Sequence, residues 1–184
     1  MCQALVYLAT GFEEVELVTV VDILRRAEIE TRTISLSEQL DVSGAHGIVI
    51  RADLPFSAGE QEADIIILPG GGPGTQALKA SPALRTRLQQ QALAGKRLAA
   101  VCAAPTVLAH AGVLQGKRAA CYPGCEAELE QGGALVCFEP VITDGLVTTS
   151  RGAGTSAAFA LEIVGLLHSP EQAMKIGKAM LYMA

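Results

Sequence analysis

The sequence predicts an α/β fold with a mostly parallel sheet and helices on both of its faces. Apolar runs rich in β-branched residues alternate with segments of helical period, which is typical of β-α-β units. The apolar runs are nearly continuous, as strands buried on both faces require. With 184 residues, of which 50% are hydrophobic, the chain can bury one sizeable core. We therefore expect one domain spanning residues 1–184.

The first half of the chain is predicted to form three strands, one helix and a short segment of strand character. In the helix, Leu17, Val20 and Leu24 recur at helical spacing and form the face that packs on the sheet. The segment 47–52 has strand character without helical period, so it is either a β-hairpin or an addition to the sheet edge. The predicted elements are strands at 4–9, 30–36 and 64–69, a helix at 13–27, and turns at Pro55 and Gly59.

The second half continues the alternation around a buried strand at 97–102. A polar surface helix at 82–95 precedes it and a more apolar helix at 104–114 follows it. Short strands are then predicted at 118–121, 134–138 and 146–150. The helical spacing of Phe159, Ile163, Leu166 and Leu167 predicts another helix, and Ser169, Pro170 and Glu171 begin a last helix that runs to residue 184.

Composition argues against nucleic acid and membranes as partners. Fourteen Lys and Arg residues stand against 19 Asp and Glu residues, for a net charge of −5, and no basic run could neutralise phosphates. The chain has no Trp, and aromatic residues make up only 4% of it. Residues 1–9 resemble a first strand rather than a signal peptide, and no apolar run could span a bilayer. We expect a cytoplasmic protein.

The cysteines are expected to be free thiols. An odd number of five, at irregular spacings, suits a reducing compartment better than a disulfide framework. There is no pair of CxxC motifs and no histidine cluster, so we expect no metal and no other cofactor. The five are Cys2, Cys102, Cys121, Cys125 and Cys137.

The segment 97–105 leads a buried strand into Cys102, two alanines and Pro105, a pattern typical of a strand–turn–nucleophile–helix unit. A thiol near a helix N-terminus should have a pKa below that of a free cysteine, which would make it nucleophilic and oxidisable. The pattern fits equally well a buried cysteine that packs as a small hydrophobe. The local sequence does not separate the two.

Two further segments are ambiguous when taken alone. Residues 64–74 run an apolar strand into a glycine-rich turn whose N–H groups could bind an oxyanion, although a plain turn would use the same glycines. The Lys-Ser/Thr pair of a phosphate-binding P-loop is missing. Glu13 and Glu14 open the first helix, where a surface role that complements the helix dipole is favoured. Glu16 lies deeper in the helix.

Four motifs together resemble the ThiJ/PfpI superfamily, and within it the DJ-1/YajL branch. The motifs are GFEEVE at 11–16, ILPGGGPG at 67–74, AAVCAAP at 99–105 and SRGAGTS at 150–156. The resemblance covers nearly the whole chain. It implies a flavodoxin-like, doubly wound α/β sandwich that forms a homodimer, with the cysteine in a shallow pocket near the subunit interface.

The resemblance also implies roles for individual residues. Cys102 matches the family nucleophile, and Glu16 matches a protonated carboxylic acid that hydrogen-bonds to the cysteine sulfur. The oxyanion pocket of the family is matched by Gly70, Gly71 and the backbone of Ala103.

Other positions near the motifs differ from the family or lie outside its site. Arg151 is expected to add positive charge near the pocket. Tyr122 stands where many relatives carry a histidine, and a phenol with a pKa near 10 cannot act as a base near neutral pH, so a cysteine peptidase is disfavoured. His46 replaces an arginine and is expected either to contact an anion or to be solvated. His110 and His168 are expected to have no catalytic role.

The resemblance implies an enzyme, a glutathione-independent glyoxalase or deglycase. Its substrates would be methylglyoxal and the early adducts that methylglyoxal forms on proteins or nucleotides. Addition of the Cys102 thiolate to an aldehyde gives a hemithioacetal, and Glu16 can then move a proton between the two oxygen-bearing carbons.

The alternative is a redox-sensing chaperone switched by oxidation of Cys102 without turnover. Cys121 and Cys125 could resolve a sulfenic acid at Cys102, although packing as small hydrophobes is the favoured interpretation of both.

Overall fold

Ten strands are present in the part of the chain that the structure describes, residues 3–58 and 62–182 of a computed structural model. Six of them form a central sheet, which is parallel apart from one antiparallel pair at its edge. The strands are β1 (Gln3–Leu8), β2 (Glu30–Ser35), β3 (Asp41–Ser43), β4 (Val49–Arg51), β5 (Ile65–Leu68), β6 (Arg97–Val101), β7 (Arg118–Ala119), β8 (Leu135–Val136), β9 (Val141–Asp144) and β10 (Val147–Ser150). The order in the central sheet is β2-β1-β5-β6-β10-β9, with β9 antiparallel to β10.

Helices cover both faces of the sheet, as predicted. Alternate residues of β1 show this, because Val6 belongs to one buried apolar cluster and Leu5 to the other. Helices α1, α6 and α7 pack on the Val6 face, and α2, α3, α4 and α5 on the Leu5 face. Their bounds are α1 (Glu14–Arg26), α2 (Gly72–Ala80), α3 (Pro82–Leu93), α4 (Pro105–His110), α5 (Glu126–Gln131), α6 (Ser156–Leu167) and α7 (Pro170–Ala179). The predicted α/β class is confirmed.

The shortest elements differ from the prediction. The segment predicted as a hairpin or edge addition is a hairpin, with β3 and β4 paired antiparallel and separate from the central sheet. The strands predicted at 118–121 and 134–138 shrink to β7 and β8, which pair with each other outside the central sheet. We did not predict β3, β9 or α5. Elements of three to six residues are too short for a period to stand out.

The helix after Cys102 is shorter than predicted. It ends at His110 because Gly112 adopts a φ of 76°, a left-handed conformation that terminates helices. At this end of the helix, the N–H of Val113 donates a hydrogen bond to the carbonyl of Leu108 at 3.2 Å. The last helix, predicted to run to residue 184, ends at Ala179, and residues 183 and 184 lie outside the described residues. The predictions for Cys2 and Gly59 also fall outside them.

The sheet topology brings distant segments to one edge. The strand order reverses between β1 and β5, and a crevice at the carboxyl ends of parallel strands forms at such a point. The loops that follow β1, β5 and β6 therefore meet there. No helix within the described residues is long and apolar enough to cross a membrane.

Candidate active site

Cys102 lies immediately after β6 in a strained backbone conformation. Its φ is 64°, in the left-handed region that residues other than glycine rarely adopt. Two backbone hydrogen bonds hold this turn: the Cys102 N–H donates to the carbonyl of Ser150 at 3.0 Å, and the Tyr122 N–H donates to the carbonyl of Cys102 at 2.8 Å. The predicted turn from strand to nucleophile to helix is present, and Pro105 opens α4.

Glu16 is completely buried beside the cysteine. The helix α1 positions it, and its Oε2 accepts a hydrogen bond from the backbone N–H of Gly70 at 2.7 Å. Its carboxyl group also contacts the Cys102 side chain. A buried carboxyl group with so few partners is costly to ionise.

The two glycines at the end of β5 are required by close packing. A Cβ at Gly70 would lie 2.6 Å from the Cβ of Cys102 and 2.7 Å from Oε2 of Glu16. Gly71 has a φ of 91°, and a Cβ there would lie 2.3 Å from the carbonyl oxygen of Gly11. The glycine-rich turn therefore allows the carboxyl group and the thiol to meet.

The electrostatics couple Glu16 and Cys102. Burial raises the pKa of Glu16 from 4.5 to about 7. Burial and the negative charge of ionised Glu16 together raise the pKa of the Cys102 thiol to about 12. The prediction that the helix N-terminus lowers this pKa is therefore wrong when Glu16 is ionised. The pair holds one negative charge between its members, and a protonated Glu16 can instead donate a hydrogen bond to the thiolate.

Two backbone groups favour negative charge at the sulfur. The N–H groups of Ala103 and Gly71 hydrogen-bond to Cys102 and act to lower its pKa. Gly70 was expected to join them as an oxyanion donor. Its N–H is instead engaged by Glu16, so it positions the acid rather than binding an anion.

A cavity of about 530 Å³ opens above the cysteine. Loops and helices from both halves of the chain build its walls, including α2, α5 and the turn after β10. The residues that line it are Glu13, Glu16, Gly71, Gly72, Thr75, Gln76, Cys102, Ala103, Thr106, Tyr122, Cys125, Glu128 and Ala153.

One group of side chains in the described residues has the spacing of a metal site. Ligand atoms of Glu13, Glu14 and His46 lie within 4.8 Å of one another. The His46 Nδ1 is hydrogen-bonded to Oε2 of Glu14 at 2.9 Å, and the His46 N–H donates to Oε1 of Glu14 at 2.7 Å. These hydrogen bonds account for the proximity without a metal ion.

The strained cysteine, the buried acid and the glycine turn are the features that the four sequence motifs implied. Residues 2–166 match the DJ-1/PfpI family. The chain belongs to that family. Protein dj-1beta of Drosophila melanogaster is 36% identical over 179 residues, covering 97% of this chain and 96% of the relative. The glutathione-independent glyoxalase DJR-1.2 of Caenorhabditis elegans is 33% identical, covering 87% of this chain and 85% of the relative.

The fold of this DJ-1/PfpI protein is also that of solved structures. The oxidised DJ-1 of Toxoplasma gondii superposes with a TM-score of 0.95, at 34% identity and with both chains covered completely. Drosophila melanogaster DJ-1beta gives a TM-score of 0.92 at 35% identity, covering 98% of this chain and 97% of the other.

Two predicted pocket residues of this DJ-1/PfpI protein lie elsewhere. Arg151 does not line the cavity, because its guanidinium group lies 5.9 Å from the centre of the Phe138 ring. His46 contacts Glu14 rather than the cavity. Tyr122 does line the cavity, with half of its surface exposed.

The first acidic residues of α1 do not have the surface role that we favoured. Glu14 is buried, and although burial raises its pKa, hydrogen bonds from the side chain and backbone of His46 and from the backbone of Ile48 lower it to about 2. Glu13 lines the cavity. All three histidines of the chain lie within the described residues, and none of them lines the cavity.

Sequence reasoning missed several residues of the cavity. Thr75 and Gln76 belong to the first turns of α2, and Cys125 and Glu128 lie three residues apart around the start of α5. The position of α2 directly after the glycine turn could have indicated Thr75. No sequence signal places α5 over the cysteine. Cys102, Cys121, Cys125 and Cys137 are free thiols, as predicted.

Proposed function

We propose that this protein is a cysteine-dependent, glutathione-independent glyoxalase and deglycase, acting on methylglyoxal and its early adducts. The observation that carries the proposal is the contact between the Cys102 thiol and the buried Glu16 carboxyl group, with the backbone N–H groups of Gly71 and Ala103 acting to lower the pKa of the thiol. A nucleophile, a proton carrier of raised pKa and donors for developing negative charge are thus combined. The name of the Caenorhabditis elegans relative supports the same reaction.

The first step joins the thiol to the substrate. The Cys102 thiolate, with Glu16 protonated beside it, attacks the aldehyde carbon of methylglyoxal, the C=O electron pair moves to oxygen, and Glu16 delivers a proton to that oxygen. The product is a hemithioacetal and a Glu16 carboxylate. A Glu16 pKa of about 7 suits a group that both gives and takes a proton near neutral pH.

The second step exchanges oxidation states within the substrate. The Glu16 carboxylate removes the proton from the sulfur-bearing carbon and returns it to the neighbouring carbonyl carbon, while the hydroxyl proton of the sulfur-bearing carbon passes to the oxygen of that carbonyl group. The first carbon becomes a thioester and the second becomes an alcohol, so no external oxidant or reductant is needed. Water then hydrolyses the thioester, which releases lactate and restores the Cys102 thiol.

Lactate formation from methylglyoxal without glutathione tests the proposal. The protein is reduced, freed of small thiols by desalting, and compared with Cys102→Ala. Cys137→Ala is the matched control, because it removes a thiol that does not line the cavity. We expect lactate from the native protein and the control but none from Cys102→Ala. Absence of lactate from folded, reduced native protein contradicts the proposal.

A redox switch is the second candidate function. Cys102 is partly exposed to the cavity and borders the acid that would contact an oxidised sulfur, and a similar solved structure is described as oxidised DJ-1. Limited peroxide treatment followed by mass spectrometry would detect added oxygen on Cys102. Client aggregation that is suppressed only after oxidation, without lactate formation, would favour the switch over the enzyme.

We also propose that the protein forms a homodimer. Four large apolar side chains on α1 and around the β3–β4 hairpin are each at least half exposed: Val15, Val18, Ile48 and Val49. A second copy that covered this face would remove them from water. Light scattering should give twice the chain mass, and Val18→Glu should lower it to the monomer mass. A native protein of monomer mass at assay concentration would contradict the homodimer.

A further inference from the structure

The titratable side chains that line the cavity above Cys102 can carry negative charge but not positive charge. Six of the residues that line it have titratable side chains, and the charged form of each is an anion. They are Glu13, Glu16, Cys102, Tyr122, Cys125 and Glu128. No lysine, arginine or histidine among the described residues lines the cavity.

The cations that pair with cavity carboxylates lie outside the cavity and offset part of their charge. Lys79 forms an ion pair with Glu128 from a neighbouring groove that it helps to line. His46 is bound to Glu14, and Arg151 lies against Phe138. The cation that the structure places near the Glu13 carboxylate is His46, whose Nδ1 is 3.7 Å away from its Oε1.

A second observation shows that the cavity is equipped for a ligand. The Thr75 side chain lines it and is only 2% exposed, yet its hydroxyl has no hydrogen-bond partner among the described residues. A buried hydroxyl without a partner costs free energy unless a ligand satisfies it. The oxygen of a carbonyl or alcohol group could do so.

From these observations we infer that the cavity admits neutral and positively charged compounds to Cys102 and discriminates against anionic ones. The acceptable substrates are then methylglyoxal itself and its adducts on the cationic side chains of proteins. Free 2-oxo acids and adducts on phosphate-bearing nucleotides are disfavoured. The choice of carbonyl substrates rests on the proposed function, whereas the charge preference rests on the residues of the cavity alone.

The expected size of the preference follows from Coulomb's law. Two unit charges several ångströms apart in a partly solvated cavity interact strongly enough to change a rate about three- to tenfold. The preference should shrink at high salt because the cavity opens to solvent.

A pair of reagents of equal size and opposite charge tests the inference without any turnover. The Cys102 sulfur attacks the thio sulfur of a methanethiosulfonate, which forms a disulfide and releases methanesulfinate. One reagent carries a trimethylammonium group and the other a sulfonate. Peptide mass spectrometry reports the rate at Cys102 separately from the other cysteines. Both rates at Cys102 are proportional to the fraction of thiolate, so this fraction drops out of the ratio of the cationic to the anionic rate. Division by the same ratio measured with free 2-mercaptoethanol corrects for the different intrinsic reactivities of the two reagents.

Besides Glu16, two carboxylates line the cavity, and the variants Glu13→Gln and Glu128→Gln remove them one at a time. Glu128→Gln also releases Lys79 from its ion pair. Glu130→Gln is the matched control, since Glu130 lies on the same helix as Glu128 but is exposed and outside the cavity. We expect a normalised cation-to-anion ratio of about three to ten in native protein, a ratio reduced about threefold by Glu13→Gln, and no change with Glu130→Gln.

The outcomes separate this inference from the proposed function. A normalised ratio near one, or a ratio that Glu13→Gln and Glu128→Gln both leave unchanged, overturns the charge selection even if lactate is formed. A high ratio that depends on Glu13 supports the charge selection even if no lactate is formed, in which case only the glyoxalase proposal fails.

Discussion

Glu14 and Glu16 leave the same helix two residues apart and are bound by different segments of the chain. Glu14 accepts hydrogen bonds from the backbone and the imidazole of His46, at 2.7 and 2.9 Å, whereas Glu16 accepts one from the backbone of Gly70 at 2.7 Å. The first carboxyl group is therefore held as an anion, with a pKa of about 2, and the second has its pKa raised to about 7. One helix thus supplies a carboxylate of lowered pKa and a carboxyl group of raised pKa.

Replacement of Glu16 by Gln should remove a pH dependence of stability. Because the pKa of Glu16 rises from 4.5 to about 7 on folding, its contribution is fully present below pH 4.5 and is lost as the pH rises to 7. Native protein should therefore lose about 3 kcal/mol over this range through Glu16. Urea unfolding of reduced protein at pH 5 and pH 8 measures this. The free energy of unfolding of Glu16→Gln should rise relative to that of native protein between pH 5 and pH 8. If the free energies of unfolding of variant and native protein differed by the same amount at both pH values, the raised pKa of Glu16 would be refuted.

Replacement of Glu14 by Gln should have the opposite pH dependence. The pKa of Glu14 falls from 4.5 to about 2 on folding, so its stabilisation is present above pH 4.5 and is lost as the pH falls toward 2. The variant should cost about 3 kcal/mol at pH 7 and much less near pH 3. The same unfolding assay checks this. A cost that does not depend on pH would show that the carboxylate charge is not what His46 and Ile48 stabilise.

Gly70→Ala should damage both stability and the thiol. The new methyl group would lie 2.6 Å from the Cβ of Cys102 and 2.7 Å from Oε2 of Glu16, which forces the pair apart. We expect a loss of about 1–3 kcal/mol in the free energy of unfolding and a changed rate of Cys102 alkylation. Gly154→Ala is the control, since a Cβ there would meet no atom of the described residues within 4 Å. Equal behaviour of the two variants would contradict the close packing.

Thr75→Val should separate stability from substrate binding. Valine has nearly the shape of threonine, and the buried hydroxyl that it removes has no partner in the described part of the chain, so stability should be unchanged or should rise by about 1 kcal/mol. If the hydroxyl binds the substrate oxygen, KM for methylglyoxal should rise severalfold, and Thr75→Ser should largely restore it. Unchanged kinetics in the valine variant would show that the hydroxyl does not contact the substrate.

The sequence by itself determined the fold class and the turn that carries Cys102. Continuous apolar runs such as Ile65–Leu68 are typical of strands buried on both faces, and the alternation with helical segments then favours a mostly parallel sheet. The motif around Cys102 predicted the turn after β6, and the resemblance to a family selected Glu16 from three neighbouring glutamates. These features depend on residues close together in the chain, so the local sequence is sufficient to predict them.

Only the tertiary structure decided which residues of the site contact one another. The distances that matter join residues far apart in sequence: Gly70 to Glu16, His46 to Glu14 and Arg151 to Phe138. No local pattern distinguishes the glycine whose N–H is engaged by an acid from the one whose N–H contacts the thiol. The pKa of Cys102 was mispredicted for the same reason, because burial and a carboxylate from α1 outweigh the helix N-terminus next to it. Charge and burial are properties of the assembled cavity, and they appear only when the loops meet.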